Sequence, residues 1–427
     1  MERAPREAWI LATGVGPTPA LTEEVCGIPH LLRVACDLAG AGARTIYVVV
    51  GAAATSGVAT IGSDARLASR ATLHVVTAPP PGDLREPVLL ARADRVFHRD
   101  VPGAAVEAWR ARGRARLAKV AGDEHDAVVV TDRTLADELA NAAGEDGWRD
   151  ELARLARAGE VAEAAPPYLA FTAAPRDRRS LRAAERQLVR SLRKSADGIM
   201  ARALNRRLSL PLTALLCKTR VHPNHVTLAA LACALAGAVV LGHPGYAAGA
   251  IGMLLVELGS IVDGIDGELA RLRFQFSRTG QWLDTVVDDV ANIAYITGVM
   301  VHLTGDGVAW ALPLGVAAIG AFALTQGTQY LLITYVYRSG DLAAIPWAFQ
   351  STSFLSQRPK GLRARIAATA PKLLKRDFVV TLFTICALLG RLDIVLAAFA
   401  TGALVFLGVL LVQLVRNVGA IRASFGP

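Results

Sequence analysis

Cysteine is scarce in this chain. Five occur in 427 residues, at Cys26, Cys36, Cys217, Cys233 and Cys386, an odd number with no Cys-x-x-Cys pair. Few, scattered and unpaired in spacing, they are most simply read as reduced core thiols in a cytoplasmic or membrane setting. Lysine is absent before Lys119. Residues 1–6 are charged with no continuous apolar run behind them, so a cleavable signal peptide is not expected and internal apolar segments would direct insertion. Recognition motifs for nucleic acid are missing too. The net charge of +9 sits beside apolar segments, where anionic lipid headgroups are the fitting partner.

Apolar residues are abundant instead, at 53% of the chain, and the surplus lies in the second half. Segments 227–241, 247–262, 283–302, 308–336, 378–389 and 394–415 give six candidate spans. The first, second and fifth are short for the ~20 residues a crossing needs, unless polar flanks extend them. The region before the first span, the hairpin 271–278, the connection 338–376 and the tail with Arg416 and Arg422 are basic, whereas the intervening connections carry little positive charge. Positive-inside bias therefore predicts both termini on the cytoplasmic side.

Acidic residues are nearly absent from these spans, which makes one cluster conspicuous. Asp263 and Asp266 close the second span, and Asp284 and Asp288 open the third. Spacings of three and four put each pair on one helical face. If 251–266 ends one span and 280–302 begins the next, the short connection 271–279 makes them antiparallel neighbours, and four carboxylates meet at one cytoplasmic level. Like charges so placed repel unless cations neutralise them. Oxygen ligands without His or Cys favour Mg2+ or Mn2+ over zinc, and two ions suit the clamping of a phosphoryl group. Gly264, Gly267 and Gly280 leave room for a bulky ligand beside the acids, and Arg271, Arg273 and Arg278 are placed to meet its phosphates. Solvated acidic helix ends are the plain alternative. Asp289 lies about 100 degrees around the helix from Asp288 and reads as a polar-face residue.

The pattern Asp263-x2-Asp266-Gly267-x2-Ala270-Arg271-x8-Gly280-x3-Asp284-x3-Asp288 resembles, at all eight fixed positions, the signature of the CDP-alcohol phosphotransferases. The resemblance implies a six-spanning, metal-dependent membrane enzyme that moves a substituted phosphate from a CDP-alcohol donor to an acceptor hydroxyl and releases CMP. It implies metal ligation by Asp263, Asp266, Asp284 and Asp288, with Asp288 also the general base. Asp263, Gly267, Ala270, Arg271 and Gly280 would bind the CDP-alcohol. A homodimer is expected from the family alone.

Residues 1–175 read as a soluble α/β domain. Strand-like runs at 8–13, 45–50, 72–77, 88–91 and 127–131 alternate with helical patterns such as 29–39, which predicts a mostly parallel, doubly wound sheet. The loop Thr13-Gly14-Val15-Gly16-Pro17-Thr18, the run Gly27-Ile28-Pro29-His30-Leu31-Leu32-Arg33 and Arg92-Ala93-Asp94 resemble parts of the sugar-nucleotidyltransferase family. Active members carry an Arg and a Lys after the glycines, and residues 14–27 contain neither. A nucleoside triphosphate would lack its main electrostatic partner, so a degenerate domain is favoured over an active cytidylyltransferase. The order of the two parts, and the context around Asp263 to Asp284, resemble the bifunctional inositol-1-phosphate cytidylyltransferase and di-inositol-phosphate-phosphate synthase branch.

Between the parts, residues 176–222 are basic, and 181–218 reads as an amphipathic helix on the membrane surface, or else a solvated linker helix. Pro223-Asn224-His225-Val226-Thr227 is either a family element or plain helix entry with Asn224 as cap. Arg220 and the cations of 338–376, Lys360, Arg363 and Arg376 among them, are candidates to hold a phosphorylated polyol acceptor; as an alternative, the cations of 338–376 are membrane anchors. A divalent-cation transporter is the rival class. It needs acids along the spans toward the outer face, and only Glu257 stands out there.

Overall fold

The computed structural model describes residues 4–12, 23–50, 59–83, 86–111, 115–122, 126–142, 144–193, 198, 200–336 and 376–416. The chain forms two compact units, one of Met1–Ser195, Thr213–Arg220 and Ala270–Gln275, the other of Ala196–Leu212, Val221–Leu269 and Phe276–Pro427.

The first unit is built on a seven-stranded sheet. The first strand, Glu7–Leu11, lies inside the sheet and pairs in parallel with Thr45–Val49 and with Pro87–Arg92, in the registers Glu7 to Thr45 and Glu7 to Val88. Thr72–Val76 continues the sheet in parallel beyond Thr45–Val49. On the other side Val128–Asp132 runs antiparallel to both Pro87–Arg92 and Leu117–Val120, and Val161–Ala164 closes that edge in parallel. Alternate side chains feed two cores, one around Ile10, Ile46, Leu89 and Val130, the other around Trp9, Leu90, Leu117 and Val129. Burial on both faces explains why these strands read as apolar runs without alternation. The strands Leu117–Val120 and Val161–Ala164 were not expected from sequence. Each has only four residues, and a charge interrupts each: buried Lys119 reaches Asp126 at 2.6 Å and Glu163 at 3.7 Å.

The glycine loop 13–18 lies outside the described residues. The run from Gly27 to Arg33 begins in a tight turn between the short strands Glu24–Val25 and Ile28–Pro29, with Cys26 at φ 51° and Gly27 at φ 75°, the left-handed pair such a hairpin favours. Helix His30–Gly40 follows. Arg33 points into protein: its Nη2 donates to the carbonyls of Val25 (2.9 Å) and Leu272 (2.8 Å), and its guanidinium lies 5.5 Å from the Phe274 ring centroid. His30 is buried against the Arg95 carbonyl, and burial, reinforced by Arg33, pushes its pKa down to about 4. Neither side chain offers an exposed cation.

The continuous helix expected over 181–218 is two helices. Arg178–Ser191 opens with a capping box from Asp177 and Ser180, buries Leu181, Leu188 and Val189, and uses Glu185 to accept from the Cys26 amide (2.9 Å) and Lys218 (2.6 Å). A short π-helical turn, Ala201–Asn205, precedes the second helix, Arg206–Leu216.

Among the described residues, the second unit has five helices long and apolar enough to cross a membrane: Pro223–Leu241, Tyr246–Arg273, Arg278–Gly305, Ala311–Tyr335 and Leu392–Val415. The fifth of the six expected spans corresponds to Arg376–Leu388, whose 13 residues are fewer than the ~20 needed for a crossing. Helix Pro223–Leu241 starts with His222 as cap, its Nδ1 accepting from the Asn224 amide, so Asn224 is not the cap. Glycines let these helices approach closely, as membrane helices commonly do. A Cβ on Gly237 would sit 2.6 Å from the Gly252 carbonyl, and one on Gly298 would sit 2.5 Å from the Ala238 carbonyl and 2.8 Å from Leu241 Cβ. Gly298→Val is therefore expected to cost about 1–3 kcal/mol through overpacking, read as a lower thermal midpoint in detergent. An unchanged midpoint would contradict that close packing.

Candidate active site

The signature residues lie on a helical hairpin. Helix Tyr246–Arg273 continues about three turns beyond the apolar stretch 247–262, so Asp263 and Asp266 lie inside a regular helix and not at its end. A turn with Phe274 at φ 56° leads to Ser277, which caps the next helix by accepting from the Gly280 amide at 2.9 Å. A Cβ on Gly280 would fall 2.8 Å from Ser277 Oγ and 3.3 Å from Asn224 Oδ1, so a side chain there would displace the cap. Asp284 and Asp288 follow one and two turns later on the same face.

Three of the four aspartates come together. Asp263, Asp284 and Asp288 each offer an oxygen within 4.8 Å of the others. Asp266 is not in that trio; its carboxylate accepts from the Thr227 hydroxyl, which the first span brings alongside. Arg376 neutralises part of the cluster, with Nη1 donating to Asp263 Oδ2 at 3.2 Å and to Asp288 Oδ1. Asp263 Oδ1 is buried without a hydrogen-bond partner among the described residues. An orphaned carboxylate oxygen beside two more carboxylates matches a hard divalent cation, and the donor set is all oxygen.

Polar neighbours support the hairpin. Asp289 accepts from Gln326 Nε2 (2.7 Å) and the Tyr330 hydroxyl, in keeping with its place on a different face from Asp288. Glu257 accepts from Thr381 (2.9 Å). Glu268, fully buried, is held by Arg206 and by Ser209 Oγ at 2.7 Å.

Of the arginines expected to meet phosphates, Arg273 is spent elsewhere, donating to the carbonyls of Leu216 (2.9 Å) and Cys217 (2.6 Å) and to that of Thr219. Arg278 and Arg220 are exposed, Arg271 is half-buried, and Gly267 and Ala270 are half-buried on the signature helix. Lys360 and Arg363 lie outside the described residues. Sequence reasoning counted Arg376 only among the cations of a basic connection, and gave Glu268 no role. A buried acid inside the signature stretch was the available signal for Glu268; for Arg376 there was none, since its partners lie 113 and 88 residues away.

The profile of the family described as CDP-alcohol phosphatidyltransferase matches residues 220–401, a range that includes all eight signature positions and the three converging carboxylates. The carboxyl-terminal part of the chain is a CDP-alcohol phosphatidyltransferase domain. The chain is similar to curated proteins named bifunctional IPC transferase and DIPP synthase. The one from Aquifex aeolicus is 29% identical over 149 residues, 34% of this chain and 33% of the relative. The one from Rubrobacter xylanophilus is 34% identical over 205 residues, 46% and 44% of the two chains. A phosphatidylinositol phosphate synthase from Streptomyces avermitilis is 31% identical over 150 residues, 35% of this chain and 57% of that one. The matched segments thus span less than half of the bifunctional relatives. With such a domain, the five apolar helices belong to a multi-pass membrane protein.

Proposed function

We propose that this chain transfers a substituted phosphate from a CDP-alcohol to the hydroxyl of a phosphorylated polyol, such as an inositol phosphate, with release of CMP. The observation that carries this reading is the convergence of Asp263, Asp284 and Asp288 from two helices, with a buried Asp263 oxygen left without a partner. Those residues, with Asp266 adjoining through its Thr227 bond, would hold Mg2+ or Mn2+, two ions in the family's manner. Bound there, the cations would offset the donor's diphosphate charge and stabilise the departing CMP. Asp288 takes the proton from the attacking hydroxyl. Gly267, Ala270, Arg271 and Gly280 line the donor's place, where small residues leave space beside the acids. No covalent nucleophile is needed.

Basic flanks argue that the carboxylates and the amino-terminal domain face the cytoplasm, where CDP-alcohols are made, and that Arg376–Leu388 belongs to the remaining one of six crossings. Lys360, Arg363 and Arg220 are candidates for the acceptor phosphate. The amino-terminal domain is nucleotidyltransferase-like and degenerate. In support, Asp94, the counterpart of a metal-holding aspartate, is paired with Arg92 (2.8 Å) and Arg95 (3.6 Å), while Arg33 is buried on backbone carbonyls. A homodimer in anionic lipid is the assembly this reading adopts.

The test is CMP release by the purified full chain over a panel of CDP-alcohols and polyol phosphates. Turnover with Mg2+ or Mn2+ that stops with EDTA is expected, together with no pyrophosphate release from CTP. Absence of CMP release across the panel would refute the transferase reading, and CTP-dependent pyrophosphate release would refute the degenerate domain.

A further inference from the structure

Glu268 is a carboxylate with no solvent exposure, inside the signature stretch but not one of its fixed positions. A buried charge of this kind is retained only when paired and hydrogen-bonded. Two of its partners come from one helix, Arg206–Leu216: Arg206 Nη1 and the buried Ser209 Oγ converge on the same oxygen, Oε1. The arrangement fixes a guanidinium in one place. Arg206 keeps 12% of its side chain exposed, so the group is held at the edge of the protein and not sealed within it.

Its position relative to the signature is specific. Gly264 lies four residues before Glu268, on the same face of the helix and next to Asp263. Among the described residues, and apart from its chain neighbours and its own helix backbone, Arg206 Nη1 is the one heavy atom within 4 Å of where a Gly264 side chain would begin, at 4.0 Å. A space opened by a glycine, beside a carboxylate of the reacting cluster and walled by a guanidinium, matches a phosphate oxygen, because a guanidinium's planar fork can serve a carboxylate and a phosphate together. Arg273, placed by sequence to do this, is committed to backbone carbonyls.

We propose that Arg206, oriented by Glu268 and Ser209, binds a phosphate oxygen of a substrate in the space over Gly264. The assignment rests on the transferase reading above and adds to it a residue from outside the signature. The phosphate belongs either to the donor's diphosphate or to the phosphorylated acceptor, and kinetics separate the two sources.

Arg206→Met is expected to raise KM for one of the two substrates by about tenfold or more, with kcat within about threefold, as loss of a charge-assisted bond predicts. A raised KM for the CDP-alcohol assigns the diphosphate, and a raised KM for the polyol phosphate assigns the acceptor. Arg206→Lys recovers part of the loss. Removing arginine alone strands the Glu268 charge, so the double variant Arg206→Met with Glu268→Met is measured as well. Taking out both partners spares the fold, and the KM defect persists. Two results overturn the role of Arg206: wild-type KM values for both substrates in the double variant, or a loss in kcat alone. A wild-type chain that releases no CMP sinks the transferase reading instead.

Discussion

Asp288→Asn is expected to lower CMP release by about 10²–10⁴-fold, the range typical for loss of a general base. The amide keeps the size of the carboxylate and an oxygen for Arg376, but it cannot take the proton from an attacking hydroxyl. The loss should appear in kcat, because removing the proton acceptor weakens the transition state more than the bound substrates. Asp289→Asn is the matched control. Its side chain faces Gln326 and Tyr330 on another helix, so a far smaller effect is expected although the two residues are adjacent in sequence. Retention of full turnover by Asp288→Asn, in protein with an unchanged thermal midpoint, would remove the proposed base.

Arg376→Gln should lose stability when divalent ions are chelated and regain it when Mn2+ is added. Arg376 donates to both Asp263 and Asp288, and three carboxylate oxygens lie within 4.8 Å there. Without the guanidinium, mutual repulsion has no compensating charge. A loss of roughly 1.5–3 kcal/mol fits hydrogen bonds to charged groups, and the 19–30% exposure of these side chains argues against the larger values of a fully buried pair. Mn2+ then replaces the missing charge, and its binding raises the midpoint by mass action more in the variant than in the wild type, where Arg376 competes for the same oxygens. Equal midpoints in EDTA, and equal Mn2+ shifts, would show that the ion and Arg376 do not share a place.

The clustering of Asp263, Asp284 and Asp288 was legible because helical periodicity puts 263 with 266 and 284 with 288, and because a short polar connection between apolar runs implies an antiparallel hairpin. What periodicity could not give was rotation about the helix axis set by tertiary partners. Asp266 shares its face with Asp263 by spacing, yet Thr227 on the preceding span draws its carboxylate out of the trio. Arg376 was beyond reach because only folding brings it to acids far away in the chain. In the first unit, five strands were legible as apolar runs, while Leu117–Val120 and Val161–Ala164 were hidden by Lys119 and Glu163, charges that pair with each other across the sheet edge. The expectation of one continuous helix over 181–218 was not met, because the region holds two helices, Arg178–Ser191 and Arg206–Leu216. Leu181, Leu188 and Val189 form an apolar stripe that a membrane surface would accept equally well, but it is buried within the protein.

Mn2+ binding to the purified full chain, followed by electron paramagnetic resonance without substrate, tests the central claim most directly. Asp263, Asp284 and Asp288 as a shared cation site predict specific binding by the wild type, weakened at least about tenfold by Asp263→Asn, Asp284→Asn or Asp288→Asn in folded protein. Wild-type affinity in all three variants would contradict it.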